Sequence, residues 1–505
     1  MTTGQKGVIA GLVSLYIVLR LWGLTDACLW FDEIFGVHAA EHDWGGMIRF
    51  AAQDLIHPPL FYALLKLWIS VGGDSLMWLR LFPVVFAVLA IFPFLQICRE
   101  LRLGWKSMAL ALLLFSANGA LIKYAQEVRM YSLLLFLSLM SIWLFSRFFI
   151  KGKGFVALVF VNILLVYTHY FGWLVVISEV TAILVFQRIK LRKTLLMFGI
   201  TAAAFVPWAI MVFRAATAGS SLEQNIGWIE RPGITAIFDL LFDLVEPFYF
   251  QASSADPISL LYISIPMLIA IGTAKLFYLA EWKVPEKKEA FMLLSVLAGL
   301  PIAVSLLASW LLPYSVWGSR HLIIIFAPML LMSAVFITEI NRKTAAYGIL
   351  GFVIVLTTAA FIVRAGAERT DPTWCTWEQA ARNVALSAEM PAGDEPPAAV
   401  YAFEDLSAYH LWFALRKYPN YRVYKIEGIS GIEEDRAFFL PRGFDEVERI
   451  KIKDVPRRRA YAAFRDSEFL PGRPPLLSFT ERGFELRKQQ TFAADGPDTF
   501  LVEIY

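Results

Sequence analysis

Apolar residues fill long unbroken stretches of this chain, and polar residues collect in the short gaps between them. The stretches cover about 8–24, 77–98, 107–123, 131–149, 155–169, 171–187, 195–213, 258–280, 290–312, 321–340 and 345–363. A bilayer core of about 30 Å needs roughly 20 apolar residues in a helix, so the pattern predicts about eleven spans. After about Arg364 the pattern changes. Apolar runs shorten to strand length at 398–403, 421–426 and 499–504, with helical spacing at 377–386 and 406–415. The chain therefore divides into a polytopic α-helical membrane domain, 1–363, and a small α/β domain, 364–505. Neither half shows an internal repeat.

Composition agrees with the pattern. The 505 residues are 58% hydrophobic and only 18% charged, with a mean hydropathy of +0.58. Soluble chains carry about 25% charge. A net charge of +3 without basic runs gives no reason to expect a nucleic-acid partner. The three cysteines lack metal-ligand spacing. Cys28 and Cys375 both fall on the outer side, so a bridge is open to them, but unpaired thiols are the expectation, since spacing alone gives no pairing geometry. The first apolar stretch is followed by Asp26-Ala27-Cys28-Leu29 rather than a small-residue cleavage site, and is expected to remain as an anchor.

Charge then orients the loops. Arg99, Arg102 and Lys106 mark one short loop, Arg147, Lys151 and Lys153 a second, and Arg188, Lys190, Arg192 and Lys193 a third. Lys283, Lys287 and Lys288 follow, then Arg342 and Lys343. Such loops face the cytoplasm, which places the amino terminus inside and the carboxy-terminal domain outside. The opposite face collects Asp32-Glu33, His57-Pro58-Pro59, Glu127 with Arg129, Thr168-His169-Tyr170 and Arg320-His321. The first outer loop, about 25–76, is expected to hold interfacial helices, one starting at Pro58-Pro59.

Most of these residues have an ordinary reading beside a chemical one. Asp32 and Glu33 either mark a helix end in water or act as a general base or metal ligands near a low-dielectric boundary. His57 is an interface histidine or a donor to a phosphate. Glu127 and Arg129 form a local ion pair or part of a site. Arg320-His321 anchor the start of a span, or the arginine holds a lipid phosphate through paired donors. Tyr167-Thr168-His169-Tyr170 reads as an aromatic belt. No phosphate-binding glycine loop opens a helix in the outer domain.

The ordered set resembles the GT-C superfamily of polyprenyl-phosphate-sugar-dependent glycosyltransferases. It is closest to the bacterial branch of the protein O-mannosyltransferase and lipid A aminoarabinose transferase group. The motifs are Arg20, Trp30-Phe31-Asp32-Glu33, His57-Pro58-Pro59-Leu60-Phe61-Tyr62, Leu79-Arg80-Leu81-Phe82-Pro83, Gln126-Glu127-Val128-Arg129-Met130-Tyr131, Thr168-His169-Tyr170-Phe171-Gly172 and Arg320-His321. They cover about 10–340. The resemblance implies a GT-C-type membrane fold and a catalytic carboxylate at Asp32. Glu33 would assist and Glu127 would stand near a second acidic position. His57, Arg80, Arg129 and Arg320 would contact the donor phosphate, and His169, Tyr170, Tyr62 and His321 would line the substrate site. Relatives often carry lysine where His57 stands, a departure that would make the contact pH-dependent.

The resemblance also implies transfer of a sugar from a polyprenyl-phosphate donor to a hydroxyl on a lipid, glycan or protein. The reaction is placed on the outer side of a bacterial inner membrane. No cofactor is implied, and a divalent metal, used by many superfamily members, is not favoured for the nearest group. A transporter or lipid flippase with an outward charged cavity is the main alternative, and Glu179 is the clearest ionisable residue inside a span. A membrane scaffold displaying the outer domain is a third.

Overall fold

The computed structural model describes residues 1–220, 222–252, 257–280, 288–387, 397–429, 438–466, 470 and 472–505. Lys283 and Lys287, two of the expected cytoplasmic cations, lie outside them.

The chain opens with α1 (Thr3–Leu21), α2 (Phe31–Glu41), α3 (Trp44–Asp54) and α4 (Leu60–Gly72). Next come α5 (Leu76–Leu89), α6 (Ile91–Glu100), α7 (Trp105–Ala117), α8 (Gly119–Gln126) and α9 (Tyr131–Lys151). Then follow α10 (Phe155–Thr168), α11 (Gly172–Phe186), α12 (Leu191–Thr217), α13 (Leu222–Ile226) and α14 (Ile234–Val245). The helical part ends with α15 (Pro257–Ala280), α16 (Lys288–Leu311), α17 (Phe326–Thr338) and α18 (Lys343–Ala365). Contacts divide the chain into two units: Met1–Leu24 with Ala39–Glu368, and Thr25–His38 with Arg369–Tyr505. The segment Thr25–His38 was expected in the first outer loop of the membrane domain, yet it packs with the carboxy-terminal residues.

The first unit is a polytopic helical assembly. Among the described residues, eight helices are long and apolar enough to cross a membrane. The remaining expected spans correspond to α7, α10 and α11, of 13, 14 and 15 residues. At 1.5 Å per residue these reach about 20–22 Å, short of the hydrocarbon thickness. The stretch 107–123 is broken because Asn118 ends α7 and caps α8, its Oδ1 accepting the Leu121 amide at 2.9 Å. The chain after α14 closes on this break, with the Gly119 amide donating to the Glu246 carbonyl at 2.8 Å. Gly119 permits the approach, since a Cβ there would lie 2.7 Å from the Phe248 carbonyl oxygen.

Buried polar groups in this unit are tied down. Glu179 on α11 accepts from Ser141 of α9 at 2.6 Å and from the Asn162 amide of α10 at 2.8 Å. Both carboxylate oxygens are thus engaged in a network that joins three helices. Arg20 on α1 lies over the Tyr16 ring and donates to the carbonyls of Ser116 at 2.7 Å and Phe115 at 3.0 Å. It covers carbonyls that the end of α7 leaves without helical partners.

The second unit is an α/β domain. Helix α20 (Asp405–Leu415) packs on strands β1 (Ala398–Ala402) and β2 (Tyr421–Glu427), and helix α19 (Thr373–Ser387) packs beside α20 on the other half of the sheet. The sheet also contains β3 (Glu448–Lys451), β4 (Ala460–Asp466), β5 (Leu486–Phe492) and β6 (Asp498–Ile504). Its six strands run in the order β3-β2-β1-β4-β6-β5. Strands β1 to β4 pair in parallel, and β6 joins antiparallel to β4 and β5. The core lies among Tyr401, Phe403, Phe464, Phe479 and Phe500. Against the expectation of unpaired thiols, Cys28 and Cys375 form a disulfide with Cα atoms 5.4 Å apart, which ties Thr25–His38 to this unit.

Candidate active site

In the first unit the sequence-predicted residues come from four separate loops. After α3 the chain turns through Leu55 in the left-handed region, φ 64°, and passes to His57. Asp54 holds that turn: its Oδ2 is 3.4 Å from His57 Nδ1, and its carboxylate and carbonyl both accept from the Asn225 side-chain amide. The next two residues are Pro58 and Pro59, and Pro59 caps α4. On α4 Tyr62 is buried beside Phe61.

The second loop follows α8. Arg80 of α5 is buried and donates to the Gln126 carbonyl at 2.5 Å. Gln126 in turn donates to the carbonyl of Trp22 at 2.8 Å. Arg80 therefore fastens the backbone turn that carries Glu127 and Arg129, and both of those side chains are buried. Glu127 lies 4.0 Å from Lys123, one turn back on the helix.

The third and fourth loops supply the central pair. His169 follows α10 in extended conformation, and its Nδ1 accepts the Phe171 amide at 3.1 Å. That bond assigns the proton of the neutral ring to Nε2. His169 is 3% exposed, and its Nε2 has no hydrogen-bond partner. Burial lowers its proton affinity well below the ordinary histidine value, and His57, Arg129 and Arg320 lower it further. The His169 ring is 5.4 Å from the His57 ring and 5.1 Å from that of His321. His321 starts the helical turn before α17 and also stands 5.2 Å from Phe171. Its Nδ1 is buried without a hydrogen-bond partner. Gly318 allows this ring position, because a Cβ there would come within 3.0 Å of His321 Nδ1.

His169 and His321 border a cavity of about 560 Å³. His169, Tyr170 and His321 are its polar side, and Phe171, Phe205, Trp208 and Val212 are among its apolar walls. Trp208 Nε1 donates to the Tyr170 hydroxyl at 3.2 Å, and burial pushes that phenol up to about 12. A neutral N–H beside two arginines, at the end of an apolar slot, suits an amphiphile with an anionic head. Among the described residues no three His, Cys, Asp or Glu side chains are arranged to hold a metal ion.

Asp32 and Glu33 belong to the second unit. They stand in the first turn of α2, where negative charge favours the helix dipole. Glu33 is fully buried, and its carboxylate accepts the Trp30 amide at 3.0 Å. That is the reaching-back half of a capping box, so Glu33 shapes the helix start. Asp32 is partly exposed between two buried neighbours.

Asp54, Asn225, Phe205 and Trp208 were not expected at the site. The first two are ordinary loop residues in sequence, and the others read as lipid-facing positions of a span.

No protein-family model matches the sequence, and no curated protein matches it significantly. Solved structures do. ArnT from Cupriavidus metallidurans bound to undecaprenyl phosphate superposes with a TM-score of 0.61 at 12% identity, covering 98% of each chain. Its apo form gives 0.55 at 11% identity, covering 99% of this chain and 98% of that one. This chain has an ArnT-like fold. The fold match covers the stretch of about 10–340 on which the sequence resemblance rests, and extends into the outer domain. The AglB oligosaccharyltransferase from Archaeoglobus fulgidus also matches, with a TM-score of 0.48 at 12% identity over 82% of this chain and 63% of that one.

Proposed function

We propose that the protein is a membrane glycosyltransferase. It moves a sugar from a polyprenyl-phosphate donor to a hydroxyl acceptor on the outer side of the inner membrane. The observation that carries the reading is an apolar cavity with His169, Tyr170 and His321 on its polar side. His169 Nε2–H, His57 and His321 line up there, with Arg129 and Arg320 near enough to act on His169. A prenyl chain fits the apolar slot, and the phosphate meets the donors. ArnT, which shares the fold, is a protein that binds undecaprenyl phosphate.

In the reaction the acceptor oxygen forms a bond to the anomeric carbon while the bond from that carbon to the phosphate oxygen breaks. Asp32 takes the acceptor proton, and the polyprenyl phosphate leaves with the electron pair. Arg129, Arg320 and the histidine N–H groups stabilise the charge gathering on the leaving phosphate. Arg80 and Glu33 serve by shaping the Gln126–Arg129 turn and the start of α2. Disulfides persist in oxidising compartments, and the Cys28–Cys375 bond supports an extracytoplasmic position for the segment before Asp32. The bonded state of Glu179 favours a structural acid over a transport relay.

The test is to incubate purified protein in lipid nanodiscs with radiolabelled polyprenyl-phosphate sugars and hydroxyl acceptors. Wild type should form glycosidic product, and Asp32→Asn should lose at least about 100-fold of it while remaining folded. Full activity in Asp32→Asn would remove Asp32 from the mechanism. Movement of labelled lipid across liposomes without product would replace the transferase reading with the flippase one.

A further inference from the structure

The segment that carries Asp32 is tied to the carboxy-terminal domain at both of its ends. Before the helix, Asp26 pairs with Arg369 at 3.2 Å and Cys28 is bonded to Cys375. The Cys28 amide also donates to Cys375 Sγ at 3.0 Å. Within α2, Phe31 and His38 are seven residues apart and so share a face. Phe31 meets Tyr409 and Phe438 at 5.4 and 5.2 Å between ring centres. His38 meets Trp412 and Phe444 at 4.8 and 5.3 Å, and its Nδ1 is 2.9 Å from the Tyr409 hydroxyl. Tyr409 and Trp412 both stand on α20 and stack on each other.

Asp32 lies between these two fastenings, four residues after the disulfide and six before His38. A free loop of this length would sample many directions for its carboxylate, and fixing it is a cost the fold has already met. Displacing a catalytic group by about 1 Å can cost about 100-fold in rate.

We propose that the outer α/β domain is the holder of the catalytic helix. Cys28–Cys375 and the His38–Tyr409 contact are positioning elements that set the direction of Asp32. The inference rests on Asp32 being the catalytic carboxylate. Its predicted signature is a loss in kcat without a loss in donor binding, since these contacts lie in a different unit from the histidine row.

The experiment uses the full-length protein in nanodiscs. Mild reduction, verified by thiol titration, opens the bridge in protein that is already folded. kcat should fall about 10- to 100-fold, donor KM should stay within about twofold of its starting value, and reoxidation should restore kcat. The Cys28→Ser/Cys375→Ser variant should show the same fall and no response to reductant. His38→Ala should lower kcat in the oxidised protein, and His38→Asn, which keeps a nitrogen near Nδ1, should recover part of it. Amide exchange across 29–38 should rise on reduction.

Full kcat in both the reduced protein and His38→Ala overturns the proposal, as does unchanged exchange across 29–38. A tenfold rise in donor KM that accompanies the fall also overturns it, because the effect is then general loosening. Asp32→Asn is run in parallel. If that variant stays active, the mechanism fails. If it is dead while the opened clamp keeps full kcat, only the positioning role fails.

Discussion

His169 in the first unit and His410 in the second are the same group under the same pressure. Each is buried, each has an Nε2 without a hydrogen-bond partner, and burial lowers the proton affinity of each. Their surroundings separate them. His410 packs against Trp377 at 5.1 Å, and burial alone pushes it down to about 3. His169 is lowered by burial and then by His57, Arg129 and Arg320. His169 is therefore a neutral ring at the edge of a cavity, with His57 and two arginines close enough to act on it. Burial makes a histidine reluctant to ionise in either place, and the cavity beside His169 is what sets it apart from a core histidine.

The sharpest way to break this comparison is to measure donor binding. On the proposed function His169→Ala removes a donor to the lipid phosphate, and hydrogen bonds to charged groups contribute about 1.5–3 kcal/mol. The dissociation constant for polyprenyl phosphate should rise by about 10-fold or more. Arg129→Gln should weaken binding at least as much, and its penalty should shrink at high salt. His410→Ala should destabilise the outer domain and leave donor affinity within about twofold. Equal losses from His169→Ala and His410→Ala, measured by titration in nanodiscs, would erase the distinction between site and core.

The same contrast decides what the sequence could tell. That His57, His169, His321, Arg129 and Arg320 come together was legible, because charges near a bilayer are sparse and these fall in alternate loops. The cavity was not legible: Phe205 and Trp208 on α12 read like any lipid-facing residues. In the outer domain β1, β2 and β6 were visible as apolar runs, whereas β3 and β5 are edge strands dressed in charged and polar residues. The central strand β4 was hidden by its alanines. The break at Asn118 was masked by apolar residues on both sides, although Asn-Gly is a cap signal. No local pattern announced that Thr25–His38 joins residues more than 300 positions away, because that partnership depends on the paired thiols and aromatic faces.

Stability against pH offers a smaller effect with a definite sign. An unfolded chain protonates its histidines near 6.5, while His410 stays neutral in the fold to about 3. Between those values the unfolded state binds more protons, so stability rises with pH and is lost as pH falls below about 6.5. Each such histidine costs about 1.4 kcal/mol per pH unit over that window. Both His410→Asn and His169→Asn should flatten the profile of thermal midpoint between pH 7 and pH 5. Saturating polyprenyl phosphate should flatten only the His169 contribution, because an anion beside the ring offsets the neighbouring cations. If the lipid removes the His410 contribution too, the two histidines are coupled and the comparison fails.

The smallest expected effect tests the geometry of the row itself. A methyl group on Gly318 would sit 3.0 Å from His321 Nδ1, tighter than ordinary contact, so the ring must give by a few tenths of an ångström. His321 borders the cavity and stands 5.1 Å from His169, so a small shift alters the seat for an anionic head without emptying it. Gly318→Ala should raise the dissociation constant for polyprenyl phosphate about three- to fivefold, or roughly 1 kcal/mol. The thermal midpoint of the apo protein should hold, because the neighbour that must move is a side-chain ring at a cavity edge. Gly318→Ser adds a hydroxyl at the same place and should be at least as damaging. A variant that binds the lipid as tightly as wild type would show that His321 does not touch the head group, leaving the seat to His57, His169 and the two arginines.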